Sequence, residues 1–443
     1  MEFVTGVLQK KTLELSALQK EGMEGSSVKV NGTVHTIRDM GNIAFIVLRK
    51  REGLLQCVFE KGSADFDIGE LKEGSAVAAE GILDKRDKAP GGIELRLKKL
   101  QVLSEPAEPM PIPIAKWKMN TSLETSLNLR PISLRNIRER AKFRIQEGIV
   151  KGFREYLDEQ GFTEIHTPKI GSKGAEGGAN IFKLEYFHRP AVLAQSPQFY
   201  KQMMVGVFDR VFETAPVFRA EKHNTKRHLN EYTSLDFEMG FIDGFEDVMS
   251  METGVLQRMM RILETQYDRE LKLLDVELPK TDRIPSVRFA RAKQLVSEKY
   301  GRPIRNPYDL EPEEEALISR YFKEEYDADF VFVTHYPGRK RPFYAMDDPA
   351  DPAFTLSFDC LLRGMEITTG GQRIHDYHML LEKMEKRGMT QEGMDAYLMA
   401  FKYGMPPHGG LGIGLERLTM KLLGEDNVRE AALFPRDLTR LEP

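Results

Sequence analysis

Residues 217–240 read VFRAEKHNTKRHLNEYTSLDFEMG, and the fold of the larger part of the chain turns on them. The ends, 217–219 and 234–239, have strand character, and between them stand Lys222, His223, Asn224, Lys226, Arg227 and His228. This predicts a β-hairpin with a charged loop. The strands themselves carry Arg219, Glu221, Asp236 and Glu238. An ionised group is costly to bury unless it is paired or meets a ligand, so these four either satisfy one another or face a pocket.

The chain has 443 residues, 41% hydrophobic and 30% charged, enough to bury large cores in more than one domain. Its two cysteines, Cys57 and Cys360, are far apart and fit no disulfide or metal framework, which favours a reducing, cytoplasmic setting. No apolar run has the length of a membrane span, and charges interrupt the N-terminus. The net charge of −4 argues against a general nucleic-acid coat, yet leaves room for a local basic face that holds RNA.

Upstream of the hairpin, residues 28–37, 43–48, 54–59, 76–83 and 93–102 read as short strands separated by turn signals. Five such strands suit an OB-type barrel over residues 1–103, which binds single-stranded nucleic acid with aromatic and basic groups on one face. Phe45, Arg49, Gln56, Lys85, Arg86 and Lys88 are its candidates. Residues 104–135 open with Pro106, Pro109, Pro111 and Pro113, a stiff linker. A second domain, 136–443, opens with a helix in which Ile145, Ile149, Phe153 and Leu157 recur every fourth residue before Gly161. It leads into a strand that Pro168 closes, an edge suited to a subunit interface.

Helices are expected at 247–272, 287–300, 311–325, 375–386 and 390–403, and strands at 330–336, 342–346, 354–362 and 363–373. The segment 301–330 reads as a surface insertion, its acidic run 311–315 as solvated charge. The stretch 407–417, PHGGLGIGLER, lacks the GxGxxG spacing and βαβ setting of a dinucleotide fold. The expected class is therefore α+β with an all-β module: the barrel, plus a mainly antiparallel sheet flanked by helices.

Arg219, Glu221, Asp359, Glu366 and Arg417 fall on strands or strand–helix junctions of separate segments. Guanidinium groups pair with phosphate oxygens and carboxylates recruit Mg²⁺, so together they suit a polyphosphate. Lys201 and Arg373 add positive charge without an obvious partner, as a small dicarboxylate would need, and Glu176, Gln198 and Asp236 can oppose an ammonium.

The hairpin, GLGIGLERL with Arg417, and the helix and strand closing at Pro168 resemble motifs 2, 3 and 1 of the class II aminoacyl-tRNA synthetases. EGGANIF, AQSPQFYKQ, RGMEITTGGQR and LFPRD resemble the aspartyl-tRNA synthetases of archaeal and eukaryotic type. The resemblance implies a class II catalytic domain and a ligase that uses ATP and Mg²⁺. It gives the α-phosphate to Arg219, the adenine to Glu221 and Arg417, the γ-phosphate end to His223 and Arg227, and Mg²⁺ to Asp359, Glu366 and Thr369. Lys201 and Arg373 would clamp the aspartate side chain, Glu176, Gln198 and Asp236 would read its ammonium, and Thr369 lines the same site. In the barrel, Phe45 would stack on an anticodon base while Arg49 and Gln56 contact base edges. His35 and Pro90 stand where the strictly tRNA(Asp)-specific archaeal enzymes carry tryptophan and lysine, a pairing similar to the non-discriminating group that charges tRNA(Asp) and tRNA(Asn). The implied partners are those tRNAs, ATP, L-aspartate and a second copy of the chain, with no membrane and no DNA. A regulatory RNA-binding paralogue and a tRNA-independent amide synthetase are the other readings of the same fold.

Overall fold

The computed structural model describes residues 6, 12–172 and 180–442. The chain divides into two compact units, 1–140 and 141–443. In the first, β1 (Ser27–Asp39), β2 (Ile43–Arg49), β3 (Leu54–Glu60), β4 (Ala76–Lys85) and β5 (Ile93–Ser104) close into a barrel in the order β1-β2-β3-β5-β4. Alternate residues fill it, among them Val28 and Val30 of β1, Ala44, Ile46 and Leu48 of β2, and Leu95 and Leu97 of β5. The first half of β1 pairs with β4 and its second half with β2, and the change falls near a bulge between Val34 and Thr36. Such a bulge sharpens the local twist, which helps one long strand serve both sides of a small barrel. Beyond the prolines, Leu123–Asn128 and Arg130–Ser133 form two short helices.

The second unit is built on an eight-stranded sheet. Its strands are β6 (Thr163–Glu164), β7 (Arg210–Phe218), β8 (Glu231–Gly240), β9 (Ser286–Arg288), β10 (Phe330–Thr334), β11 (Ser357–Leu362), β12 (Met365–Arg373) and β13 (His408–Gly414), ordered β9-β10-β11-β12-β13-β8-β7-β6. Only the two outermost pairs, β9 with β10 and β7 with β6, are parallel. The main helices are α1 (Ile137–Glu159), α2 (Gln198–Phe208), α3 (Phe245–Gln266), α4 (Phe289–Tyr300), α5 (Pro312–Tyr326), α6 (Tyr377–Lys386), α7 (Asp395–Lys402) and α8 (Leu415–Leu423). Leu235 and Phe237 of β8, Phe358 and Cys360 of β11 and Leu411 and Ile413 of β13 pack with Ile149 and Phe153 of α1 and Val255 and Met259 of α3. Period-2 alternation then sends Ser234, Asp236 and Glu238 to the opposite face of the sheet.

Five expectations are corrected. The helix expected over 247–272 is interrupted at Tyr267, so that Asp268–Leu274 forms a separate helix. Residues 342–346 form turns with a single bridge, Ala345 to Arg373, because Pro342 has no N–H for a ladder. The strand before Pro168 is only Thr163–Glu164, at the sheet edge. The segment 301–330 is not a surface insertion: Ile318 and Phe322 of α5 are buried with Val331 and Leu361. Its acidic run is not all solvated either, since Glu314 and Glu315 are buried. Glu314 pairs with Lys293 (2.5 Å) and Arg302 (2.8 Å). No described helix is long and apolar enough to cross a membrane.

Candidate active site

The sheet register lines up the candidates. Asp236 on β8 stands opposite Gly412 on β13, Gly412 opposite Thr369 on β12, and Thr369 opposite Asp359 on β11. At the usual strand spacing this row spans about 14 Å. It forms the floor of a cleft of ≈ 510 Å³ lined also by Gln198, Lys201, Arg219, Glu221, Arg227, Glu366, Arg373 and Arg417. The glycines of β13 make the floor possible. A Cβ on Gly410 would lie 2.2 Å from both Glu238 Oε2 and the Phe237 carbonyl oxygen.

At one end of the row, Lys201 Nζ donates to Asp236 Oδ1 (3.0 Å) and the Leu411 carbonyl (2.8 Å), and lies 3.3 Å from Glu238 Oε2. Arg373 Nε donates to Glu238 Oε1 (2.8 Å) and its Nη2 to the Gly410 carbonyl (2.8 Å). Burial works to raise the Glu238 carboxyl, but Arg373 and Lys201 overcome it and hold the group below the usual range. Lys201 and Arg373 were expected to lack partners, and this is corrected: Glu238, fully buried, is the partner of both. Selection of a carboxylate therefore cannot rest on bare positive charge. A ligand carboxylate has to share or exchange donors that already hold carboxylates. Gln198, the first residue of α2, is buried beside this end, and Glu176 lies outside the described residues.

At the other end a bulge decides which side chains face the cleft. Cys360 pairs with Thr368 but Leu361 with Glu366, leaving Ile367 as the extra residue of β12. Without it, Glu366 would share the back face with Thr368; with it, Glu366 lines the cleft with Thr369 and Asp359. Thr369 Oγ1 donates to Glu366 Oε1 (3.3 Å), and Arg417 Nη1 is 3.5 Å from the same oxygen. Burial opposes ionisation of Glu366, yet Arg417, Arg341, Arg219 and Arg227 keep its carboxyl below the usual range. Asp359 is pushed up to about 6 by burial and by Glu366, against the pull of Arg341, which donates to it at 2.8 Å.

The hairpin loop joining β7 to β8 is tied down by backbone contacts. Asn230 Nδ2 donates to the carbonyls of Arg219 (2.8 Å) and Glu221 (3.1 Å), and Arg429 Nη1 donates to that of Thr225 (3.1 Å). Asp437, from LFPRD, pairs with Arg429 at 2.5 Å, so the chain's end braces the loop. Glu221 accepts from Asn180 (3.1 Å), whereas Lys222 and His223 are exposed. Arg341, Glu315 and Glu416 were not among the candidates, and Glu238, one of the four hairpin-strand charges, was given no part in the site although it alternates in phase with Asp236. Glu416, which accepts from the Thr233 amide (3.0 Å), and Arg341 reach the cleft by tertiary placement alone.

On the barrel, Phe45 and Arg49 alternate on the outer face of β2, and Gln56 of β3 pairs opposite Val47 between them. Gln56 Nε2 donates to Glu94 Oε2 (2.6 Å). His35 sits in the β1 bulge, 4% exposed, with Nδ1 3.5 Å from Arg49 Nη1. Burial, then the charge of Arg49, push this imidazole down to about 4. Pro90 begins the turn Pro90–Gly92, which packs beside β3.

The family described as tRNA synthetases class II (D, K and N) matches residues 122–438, and the OB-fold nucleic acid binding domain matches 28–103. The chain belongs to the class II tRNA synthetases. This synthetase is 49% identical over 427 residues to the aspartate–tRNA(Asp/Asn) ligase of Deinococcus radiodurans, covering 95% of this chain and 96% of that one. It is 40% identical to the aspartate–tRNA(Asp) ligase of Pyrococcus furiosus, over 96% and 98% of the two chains. The structure of asparaginyl-tRNA synthetase from Pyrococcus horikoshii complexed with asparaginyl-adenylate aligns with a TM-score of 0.88 at 31% identity, covering 98% of this synthetase and 100% of that chain. The synthetase thus shares its architecture with relatives named for aspartate and for asparagine.

Proposed function

We propose that this synthetase is an aspartate–tRNA ligase that charges both tRNA(Asp) and tRNA(Asn). The observation that carries the reading is the row Asp236–Gly412–Thr369–Asp359, which sets a charged floor of amino-acid size and an arginine–carboxylate cluster at opposite ends of one cleft. Lys201 and Arg373 hold the side-chain carboxylate of aspartate, and Asp236, Gln198 and Glu176 its ammonium. The α-carboxylate attacks the α-phosphorus of ATP in line and pyrophosphate leaves. Arg219 carries the charge that builds on the phosphoryl oxygens, through donors fixed before the reaction begins. Arg417 stacks on the adenine and Glu221 meets its amino group, while His223 and Arg227 hold the γ-phosphate end. A tRNA 3′-terminal hydroxyl then attacks the aspartyl carbonyl and AMP leaves.

The donor set also fits Mg²⁺. Among the described residues no group of three or more His, Cys, Asp or Glu side chains is gathered as a metal cage. Two carboxylates, Asp359 and Glu366, and the Thr369 hydroxyl face one cleft, the hard-oxygen set that Mg²⁺ uses when phosphates complete its shell. When bound, the ion would neutralise charge on the triphosphate. The barrel, 1–103, reads the anticodon with His35, Phe45, Arg49, Gln56 and Pro90, residues 104–135 act as the hinge, and the enzyme works in the cytoplasm as a homodimer paired near β6.

ATP–pyrophosphate exchange and charging of purified transcripts with labelled aspartate test the reading. Aspartate-dependent exchange and acylation of both tRNAs are expected. Exchange at background sinks the ligase, and refusal of tRNA(Asn) with tRNA(Asp) charged sinks the relaxed choice.

A further inference from the structure

The first turn of α5 delivers a carboxylate to the cleft from outside the three motifs, and what it does there has a geometric answer. That turn is unusually well fixed. Glu311 and Glu314 form a reciprocal capping box around Pro312 at the start of the helix. Arg302 Nη2 donates to Glu311 (2.6 Å) and Nε to Glu313 (2.8 Å), while its Nη1 lies 2.8 Å from Glu314. Lys293 donates to Glu314 at 2.5 Å. With its neighbours so held, Glu315 has little freedom. Its Oε2 accepts from Arg227 Nη2 at 2.5 Å and from the backbone N–H of Glu366 at 3.0 Å. Arg227 is held from a second side, since its carbonyl accepts from Arg417 Nε at 3.4 Å. One oxygen thus ties the hairpin-loop arginine to the bulged strand that carries Glu366.

We propose that Glu315 is a positioning residue for nucleotide binding: its carboxylate aims the Arg227 guanidinium at the polyphosphate end of the cleft and docks the hairpin loop against β12. The proposal rests on the reading above for the nucleotide being ATP. A close, directional acceptor suits this task. A guanidinium on a twelve-residue connection between β7 and β8 would otherwise sample many rotamers, and ordering it on binding would weaken the nucleotide. Glu315 instead sets the arginine beforehand, and the same oxygen fixes the backbone from which Glu366 projects.

The test compares Glu315→Gln, Arg227→Ala and the double variant. Kd for ATP with Mg²⁺ is measured by calorimetry, KM for ATP and for aspartate by exchange, and thermal unfolding confirms that each variant is folded. Glu315→Gln keeps the shape and one acceptor for the Glu366 N–H, so it should fold. Expected is a five- to tenfold rise (~1 kcal/mol of coupling) in Kd and KM for ATP, with KM for aspartate within about twofold and the double variant no worse than Arg227→Ala alone. Glu315→Asp should recover part of the loss, and Glu324→Gln, at the exposed far end of the same helix, should change nothing. Additive effects in the double variant, or equal changes for ATP and aspartate, overturn the proposal. If the wild type binds ATP but shows no exchange with aspartate, the substrate reading falls and the binding cycle still decides this inference. If it binds no ATP, both fall.

Discussion

Glu252 on α3 shows how one buried proton couples this fold to pH. Its side chain is fully buried behind the sheet, and burial pushes its carboxyl up to about 8, with Asp359 adding to the rise and the Thr368 hydroxyl opposing it. In the unfolded chain the same group ionises near its ordinary value of 4.5. Between these values the unfolded state has lost the proton and the folded state keeps it, so rising pH favours unfolding, and above about 8 the penalty is complete. A Glu252→Gln variant should remove that dependence. Between about pH 5.5 and 7 its stability-versus-pH slope should be more positive than wild type by ~1.4 kcal/mol per pH unit in urea titrations. Parallel slopes would mean that Glu252 is ionised in the fold. The sequence shows why such a residue is missed: Glu252 lies in a helix rich in charge, and only the packing of α3 on β12 and β13 reveals which of its carboxylates points inward.

At the scale of elements, the legible and the hidden divide along one physical line. Alternation along a strand is local, so the five barrel strands could be read to within about two residues and β8 to within three. The same holds for Asp236 as a cleft-facing group, whereas Glu366 reaches the cleft only through the bulge at Ile367 and Arg219 lies just past the end of β7. Register is not local, and it alone brings Asp236, Thr369 and Asp359 into a row or makes Glu238 the shared partner of Lys201 and Arg373. The acid run of α5 failed for the same reason, since Lys293, Arg302 and Arg227 reach it from elsewhere in the chain. The glycines of β13 were legible as unusual but not as necessary. Gly410→Ala should now cost about 1–3 kcal/mol in urea unfolding, because its Cβ meets a backbone carbonyl that cannot rotate away. It should also raise KM for aspartate more than KM for ATP, since the displaced carboxylate is Glu238. Gly414→Ala is the control: its Cβ meets only the Arg417 side chain at 3.8 Å, and its stability should stay within about 0.5 kcal/mol of wild type. Equal losses in the two variants would mean that strand entropy, not the contact with Glu238, explains the glycines.

For the whole molecule, the cleft and the proposed anticodon face belong to separately packed units. The barrel core, from Leu15 to Leu97, and the sheet core, from Ile145 to Leu422, are distinct clusters. The cleft draws every lining residue from the second unit. His35, by contrast, is buried in the barrel bulge against Arg49, whose guanidinium is pushed down to about 10 by burial and by Arg135 and Arg140. On the proposed reading, a His35 this buried would take part in anticodon readout through Arg49, by setting where its guanidinium points. An indole is larger than the imidazole it would replace, and with Arg49 Nη1 only 3.5 Å from His35 it is expected to shift the arginine on the face that also carries Phe45. In His35→Trp, aspartate-dependent ATP–pyrophosphate exchange should therefore stay within about twofold of wild type. The kcat/KM for tRNA(Asn) should fall relative to tRNA(Asp) by about tenfold, the scale of one lost base contact. Circular dichroism of the variant checks that the barrel is intact. An equal fall for both tRNAs would assign His35 a purely structural role, and a matching fall in exchange without tRNA would contradict the division of labour between the two units.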